Sequence, residues 1–264
     1  MAPSLARSTF RAYLAAGTGA ATSFVALLLA AQVGFLGAHN PFRSFGDSDV
    51  RAAIVLSLIC ATLASLGAIV LAIPAAYLLA RSRARGLLLV DALLDVPTVI
   101  SPIVVGMSVM LLFQTKPGAW IEDNVTRFVF EVPGIVLVQF ILALALQVRV
   151  LKAQFEGIDP RLEDVARFLG CTPWGAFVRI TLPLARPGLV AAMVLGWCRA
   201  LGDFGATVTI AGAVRGKTET IPVAIYLNLA SVRLGKAVAL TLVLTAIALG
   251  LLLLVKGVLQ KRPA

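Results

Sequence analysis

The chain has 264 residues, of which 59% are hydrophobic and only 14% charged, with a formal net charge of +10 and a mean hydropathy of +0.96. A soluble domain is about a quarter charged, and one core of this size cannot hide so much apolar surface. The composition therefore excludes an ordinary soluble enzyme and makes lipid the main solvent. The cations lie between apolar runs rather than along one face, which reads as charge flanking membrane spans and not as a nucleic-acid footprint.

Six apolar stretches are long enough to cross a bilayer core, which takes about 20 residues of helix. They fall at 13–38, 53–80, 87–113, 133–151, 188–213 and 237–258, and are rich in Ala, Leu, Val and Gly. Small residues let helices pack closely where burial of apolar area no longer drives association. Arg7 and Arg11 ahead of the first stretch imitate a signal peptide, but the run from Tyr13 to Ala38 exceeds the roughly 7–15 residues of a signal core and is read as a span. His39, just beyond it, has no carboxylate or Cys neighbour. Cys60, Cys171 and Cys198 are far apart in sequence. No metal site and no disulfide framework is expected.

With the N-terminus in the cytoplasm, the inside segments hold most of the basic residues, among them Arg81, Arg83, Arg85, Arg149, Lys152, Arg161, Arg167, Arg179, Arg186 and Lys256. That is the direction the positive-inside rule requires, and an even span count returns the C-terminus to the cytoplasm. The expected fold class is all-α: one polytopic membrane domain over 1–264, with no room for an ATPase, receptor or soluble enzyme domain. No internal repeat supports an inverted-repeat secondary transporter.

The cytoplasmic loop 152–187 is the most informative segment. Asp159 suits a helix N-cap, with Pro160 at the first helical position. Glu163 and Asp164 stand in the early turns, where the helix dipole favours acids. Leu162, Val165, Ala166 and Leu169 recur at helical spacing and form one apolar stripe. Gly170 suits a C-terminal stop, a second short helix is expected after Pro173, and Pro183 and Pro187 re-aim the chain into the membrane. The stripe is too short to bury itself, so it lies on the lipid interface or docks in a groove of a soluble partner.

The spacing Asp164-Val165-Ala166, three residues, Gly170, nine residues, Ile180, Thr181, Leu182-Pro183 resembles the cytoplasmic signature of permease subunits in binding-protein-dependent ABC importers. That signature runs Glu-Ala-Ala, three residues, Gly, nine residues, Ile, one residue, Leu-Pro. Asp for Glu and Val for the first Ala are the departures. The resemblance implies a permease with no catalytic site of its own and a type I importer fold, working by alternating access. A second copy pairs with it, making a homodimer. Two cytoplasmic ATPase subunits bind ATP and Mg and seat Glu163, Asp164, Val165, Ala166, Leu169, Gly170, Ile180, Leu182 and Pro183. An extracytoplasmic binding protein delivers the substrate, and no cofactor is held by this chain.

In the fifth span, Arg199 and Asp203 are four apart and share a helical face. Ionisable groups at membrane depth are costly and face a protein interior or a water-filled path. Two readings stand: an ion pair that neutralises itself, or the lining of an anion route, with Gly202 and Gly205 favouring a bend or close packing. The run Arg199-Ala200-Leu201-Gly202-Asp203-Phe204-Gly205-Ala206-Thr207 resembles the molybdate/tungstate branch of these permeases, with Asp203 in place of a Glu. Sulfate/thiosulfate permeases are the similar alternative, and a secondary anion transporter is a more distant one. Thr220-Ile221-Pro222 and the third-span segments Asp95-Val96-Pro97 and Ser101-Pro102 also look like the molybdate branch. On this resemblance Ser101, Pro102, Arg199, Gly202, Asp203, Phe204, Gly205 and Thr207 line or gate the path. Ser101, Thr207 and Thr209 can hold a tetrahedral dianion by hydroxyl and backbone N–H groups, or bond a carbonyl of their own helix.

One motif is a decoy. Ala211 to Thr218 is a phosphate-binding loop lacking its first Gly, and it follows a membrane helix rather than a strand. It reads as a polar external loop.

Overall fold

The computed structural model describes residues 2–34, 47–82 and 84–260; among these the ordered elements are all helical. In chain order they are α1 (Ala2–Gly34), α2 (Ser48–Arg81), α3 (Arg85–Val99), α4 (Pro102–Gln114), α5 (Lys116–Asn124), α6 (Val132–Glu156) and α7 (Arg161–Phe168). Next come α8 (Pro173–Ala176), a π-helical turn over Phe177–Thr181, α9 (Leu182–Leu184), α10 (Arg186–Leu201), α11 (Gly205–Ala211), α12 (Ile221–Ala230) and α13 (Leu234–Gln260). Residues 35–38 of the first expected span, His39 and Arg83 lie outside the described residues.

Small residues at four-residue intervals decide which helices meet. On α2, Ala53, Ser57, Ala61 and Ser65 form one buried row, and Ala64, Ala68, Ala72 and Ala76 form another. On α10, Gly188, Ala192, Gly196 and Ala200 do the same. These rows bring α2, α6 and α10 together as the centre of the bundle, where backbone proximity replaces the hydrophobic effect as the source of packing energy. One pair of polar residues bridges α2 and α6 at this centre. Gln147 of α6 donates through Nε2 to Ser65 Oγ at 2.9 Å, and Gly196 leaves it room, because a Cβ there would collide with the Gln147 side chain.

Four helices have span length: α1, α2, α6 and α13; the count reaches six when each bent pair is one span. The single helix expected over 87–113 is two helices. α3 and α4 are bent by 114° at Ile100-Ser101. Ser101 sits at φ −60°, ψ 139°, the extended conformation that a following proline imposes. The helix expected over 188–213 also breaks: α10 stops at Leu201 and α11 starts at Gly205. Before it, α8 and α9 meet α10 at 71°, where Pro183 and Pro187 turn the chain.

The loop after the fifth span, expected to be external and polar, is a third correction. It is not simply a polar excursion, because Thr218, Glu219 and Thr220 are buried and lead into α12, whose Ile221, Val223 and Ala224 are buried as well. Ser57 of α2 accepts the Ile221 N–H at 2.7 Å, so this segment folds back into the bundle.

α3 is fastened differently. Its acids face basic residues of α6: Asp91 meets Lys152 at 2.6 Å and Asp95 meets Arg149 at 3.2 Å. Its apolar residues Leu88, Leu89, Leu93 and Val99 point outward.

Candidate functional site

The loop between α6 and α10 forms the expected helix, although α7 starts one position later than expected, at Arg161, with Pro160 rather than Asp159 at its N-cap. Asp159 Oδ1 accepts the Arg161 N–H at 3.0 Å. At the other end Gly170 adopts φ +92°. Its N–H donates to Arg167 O, and the Cys171 N–H donates to Ala166 O, both at 3.0 Å. This pair of bonds closes the helix only when the residue after the cap is left-handed, the conformation glycine adopts at no steric cost. Thr172 caps α8 by accepting the Gly175 N–H at 3.0 Å.

The two faces of α7 have separate jobs. Val165, Phe168 and Leu169 project outward, Phe168 and Leu169 being 90% and 82% exposed, and Trp174 of α8 stands beside them. The expected stripe is thus rotated: Ala166 is buried, and Phe168, absent from the sequence reading, joins the outward face. Asp164 is exposed and 3.9 Å from Arg167. Ile180, Leu182 and Pro183 are half-buried, and Leu182 packs on the cluster of Ala72, Ala76, Val148, Leu151 and Phe155. They seat the loop on the bundle rather than present it.

Glu163 also departs from expectation. It turns inward, where Tyr77 Oη donates to its Oε2 at 2.5 Å. Arg81 Nη2 at 2.8 Å, Arg81 Nε at 3.0 Å and Thr181 Oγ1 at 2.7 Å all donate to its Oε1. Burial pushes this carboxyl up, but the hydrogen bonds from Tyr77, Thr181 and Arg81, with the Arg81 charge, outweigh it and hold its pKa below the ordinary value. Nothing local in the sequence announces this, since Tyr77 and Arg81 lie on α2, more than 80 residues away.

The two broken spans meet at their breaks. A Cβ on Gly205 would lie 3.0 Å from Ile103 Cγ1 and 3.2 Å from Pro102 Cβ. A Cβ on Gly106 would lie 2.8 Å from Ala206 O and 2.9 Å from Thr209 Cβ. Glycine at both positions lets α4 and α11 touch backbone to backbone. Gly106 was legible as an isolated glycine in an apolar run, though the sequence did not say what it faced.

Asp203 joins the halves of the fifth span. Its Oδ2 accepts both the Thr207 N–H and the Thr207 hydroxyl at 2.9 Å. Its Oδ1 is 3.5 Å from Arg199 Nη1. Asp203 is 1% exposed and Arg199 33% exposed, so the cation reaches further from the protein interior than its partner. Phe204 packs on Tyr226 of α12 with ring centroids 5.2 Å apart. Thr209 bonds Gly205 O of its own helix, and Ser101 stands exposed at the α3–α4 break. The predicted path residues Ser101, Pro102, Gly202, Asp203, Phe204, Gly205 and Thr207 thus fall around one junction, with Arg199 at its edge.

On the far side of this junction, Phe130 donates its N–H to Ile210 O at 2.9 Å, and Lys217 pairs with Glu131. The lysine of the decoy motif is therefore part of a tie between two loops. No group of three or more His, Cys, Asp or Glu residues suited to a metal occurs among the described residues.

Comparisons with known proteins show what the chain is similar to. The molybdenum transport system permease protein ModB of Haemophilus influenzae is 39% identical over 179 residues, covering 66% of this chain and 77% of the relative. ModB of Escherichia coli K12 is 37% identical over 205 residues, covering 76% and 88%. The sulfate transport system permease protein CysW of a Synechocystis strain is 31% identical over 226 residues, covering 84% and 82%. Among solved structures, a bacterial ABC transporter involved in import of the polysaccharide alginate superposes with a TM-score of 0.76 at 20% identity, covering 98% of this chain and 99% of that one. That likeness establishes a shared fold. The family model described as binding-protein-dependent transport system inner membrane component matches residues 68–262, from the middle of α2 onward, and the chain belongs to that family.

Proposed function

We propose that this chain is the membrane-spanning half of an ATP-driven importer for molybdate and tungstate, acting as a pair of copies by alternating access. The observation that carries the substrate is the similarity to molybdenum transport permeases over most of the chain. Two cytoplasmic ATPase subunits hold ATP and Mg. They receive the outward face of Val165, Phe168, Leu169 and Trp174, an apolar helix face of the kind that docks in a groove. An extracytoplasmic binding protein supplies the oxyanion on the opposite side. Both termini then face the cytoplasm.

The junction of the two breaks is the proposed gate. α4 and α11 are each preceded there by a short non-helical break, so the elements can pivot at Ile100-Ser101 and at Gly202 to Phe204. Arg199 offers a positive charge to a passing dianion at the edge of the junction, and Asp203 keeps that charge oriented. ATP chemistry belongs to the partner, and this chain converts it into movement.

The sulfate reading rests on the CysW relative, whose match covers slightly more of this chain than the ModB matches do. ATP-dependent uptake in proteoliposomes separates the two, with the chain co-expressed with its ATPase and binding protein. Molybdate or tungstate uptake that resists excess sulfate supports the proposal. Preference for sulfate moves the substrate, and uptake without ATP overturns the importer reading.

A further inference from the structure

Arg81 closes the cytoplasmic end of α2 and is the hub of a clasp among three elements. Its Nε and Nη2 donate to Glu163 Oε1 of α7 at 3.0 and 2.8 Å. Its Nη1 donates to Phe155 O at 2.9 Å and to Ile158 O at 3.1 Å, two carbonyls at the C-terminal end of α6. Helix C-termini leave such carbonyls without partners and carry partial negative charge, so a guanidinium there is doubly favoured. The planar fork of Arg makes these bonds in two directions at once, which the single ammonium of Lys cannot reproduce.

Glu163 is equally committed. Tyr77 takes one oxygen and Arg81 and Thr181 share the other. Thr181 comes from the π-helical turn that leads into α10. Aromatic rings back the clasp: Tyr77 packs against Phe177 with the rings tilted by 58° and centroids 4.6 Å apart, and meets Phe155 edge-on at 5.8 Å. Both charged side chains are largely buried, Arg81 at 15% and Glu163 at 13% exposure. Among the described residues, Glu163 makes the only side-chain hydrogen bonds that run from α7 to α2.

We infer that Arg81 is a positioning residue for coupling: through Glu163 it ties the docking helix to α2 and α6, so that displacement of α7 is delivered to the central bundle. Tyr77 and Thr181 hold Glu163 in the geometry this requires. The functional half of this inference rests on the importer reading above, whereas the mechanical half does not. A buried ion pair in which every guanidinium nitrogen is engaged resists separation, because parting the charges leaves each one desolvated and alone. α7 therefore moves with α2 instead of sliding beneath it.

The test uses the full transporter and the variants Glu163→Gln, Arg81→Lys and Tyr77→Phe, with two readouts. The first is oxyanion taken up per ATP hydrolysed, a ratio that mere loss of folded protein leaves unchanged. Expected are falls of about tenfold for Glu163→Gln and Arg81→Lys, and of a few-fold for Tyr77→Phe. The second is the spin-label distance between residues 82 and 164 with and without nucleotide. The clasp holds it to one narrow distribution in the wild type and lets it broaden in Glu163→Gln. Wild-type ratios in the variants overturn the coupling role, and an unaltered distance distribution in Glu163→Gln overturns the clasp. If Glu163→Gln fails to assemble, Tyr77→Phe decides both. If the wild type takes up no oxyanion with ATP, the importer reading fails, and the distance alone judges the clasp.

Discussion

Adding one methyl group at Gly106 tests whether the two broken spans are joined as tightly as their geometry indicates. In Gly106→Ala the new Cβ meets Ala206 O at 2.8 Å, Thr209 Cβ at 2.9 Å and Ala206 Cα at 3.0 Å. Two of these atoms are backbone and cannot swing aside, so α11 must retreat from α4 by several tenths of an ångström. Overpacking of this kind costs about 1–3 kcal/mol. For a chain of this size roughly 2 kcal/mol lowers the melting temperature by about 4–8 °C. Gly67→Ala is the matched control, because its Cβ finds only the Phe140 ring at 3.5 Å, an ordinary contact. The assay is thermal unfolding of the purified complex in detergent alongside oxyanion uptake. The methyl should destabilise at residue 106 and not at residue 67, and uptake should fall with the former. Equal melting of the two variants would refute the argument that α4 and α11 depend on backbone contact.

Four further outcomes are expected. Asp203→Asn keeps an acceptor for Thr207 but strips Arg199 of its charge partner; uptake should collapse and melting fall by a few degrees, and a variant with wild-type values for both would exclude a tight pair. Gly170→Pro cannot reach φ +92° and loses the N–H that bonds Arg167 O, so the cap of α7 opens and ATP hydrolysis is expected to proceed without matching uptake; normal coupling would contradict the docking role. The Glu163 carboxyl has a lowered pKa in the folded protein, so its contribution is present above the unfolded value of about 4.3 and is lost as pH falls through the folded value. Wild-type stability should therefore drop below about pH 4.3 more steeply than that of Glu163→Gln, as read by melting across pH 3–7. Lys217→Ala removes only an exposed pair with Glu131 and should cost a few tenths of a kcal/mol at most, with ATP hydrolysis intact; loss of nucleotide binding would instead restore the phosphate-loop reading.

The apolar stretches, the loop between α6 and α10 and its closing glycine were readable because each is a local pattern: an apolar run of a given length, an acid two residues before an N–H, a glycine just past a helix. Where the chain breaks was half readable. Ser101-Pro102 and Gly202 mark places where a helix is weak, yet the hydropathy of 87–113 and 188–213 is continuous, and lipid demands helix throughout. The breaks touch one another through Gly205, Pro102 and Ile103, a pairing between residues some hundred positions apart that no window detects. The orientation of α7 was misread for a related reason. Apolar spacing alone put Ala166 in the outward stripe and left Glu163 on the docking surface, whereas Arg81 and Tyr77 draw Glu163 inward and rotate the helix. α12 was lost to its length of 10 residues, too short to register as a span and too apolar for the loop it was assigned to.

The position of α1 bears on how the chain is made. Its span-length segment is unburied within this chain, and its inward contact is with α13, where Thr245 Oγ1 bonds Gln32 Oε1 at 3.3 Å across 213 residues of sequence. At roughly 5–20 residues per second of synthesis, α1 waits on the order of 10–40 seconds before its neighbour exists. During that interval α1 must persist in the bilayer without that neighbour, which the predominantly apolar run of its span-length segment Phe10–Gly34 permits.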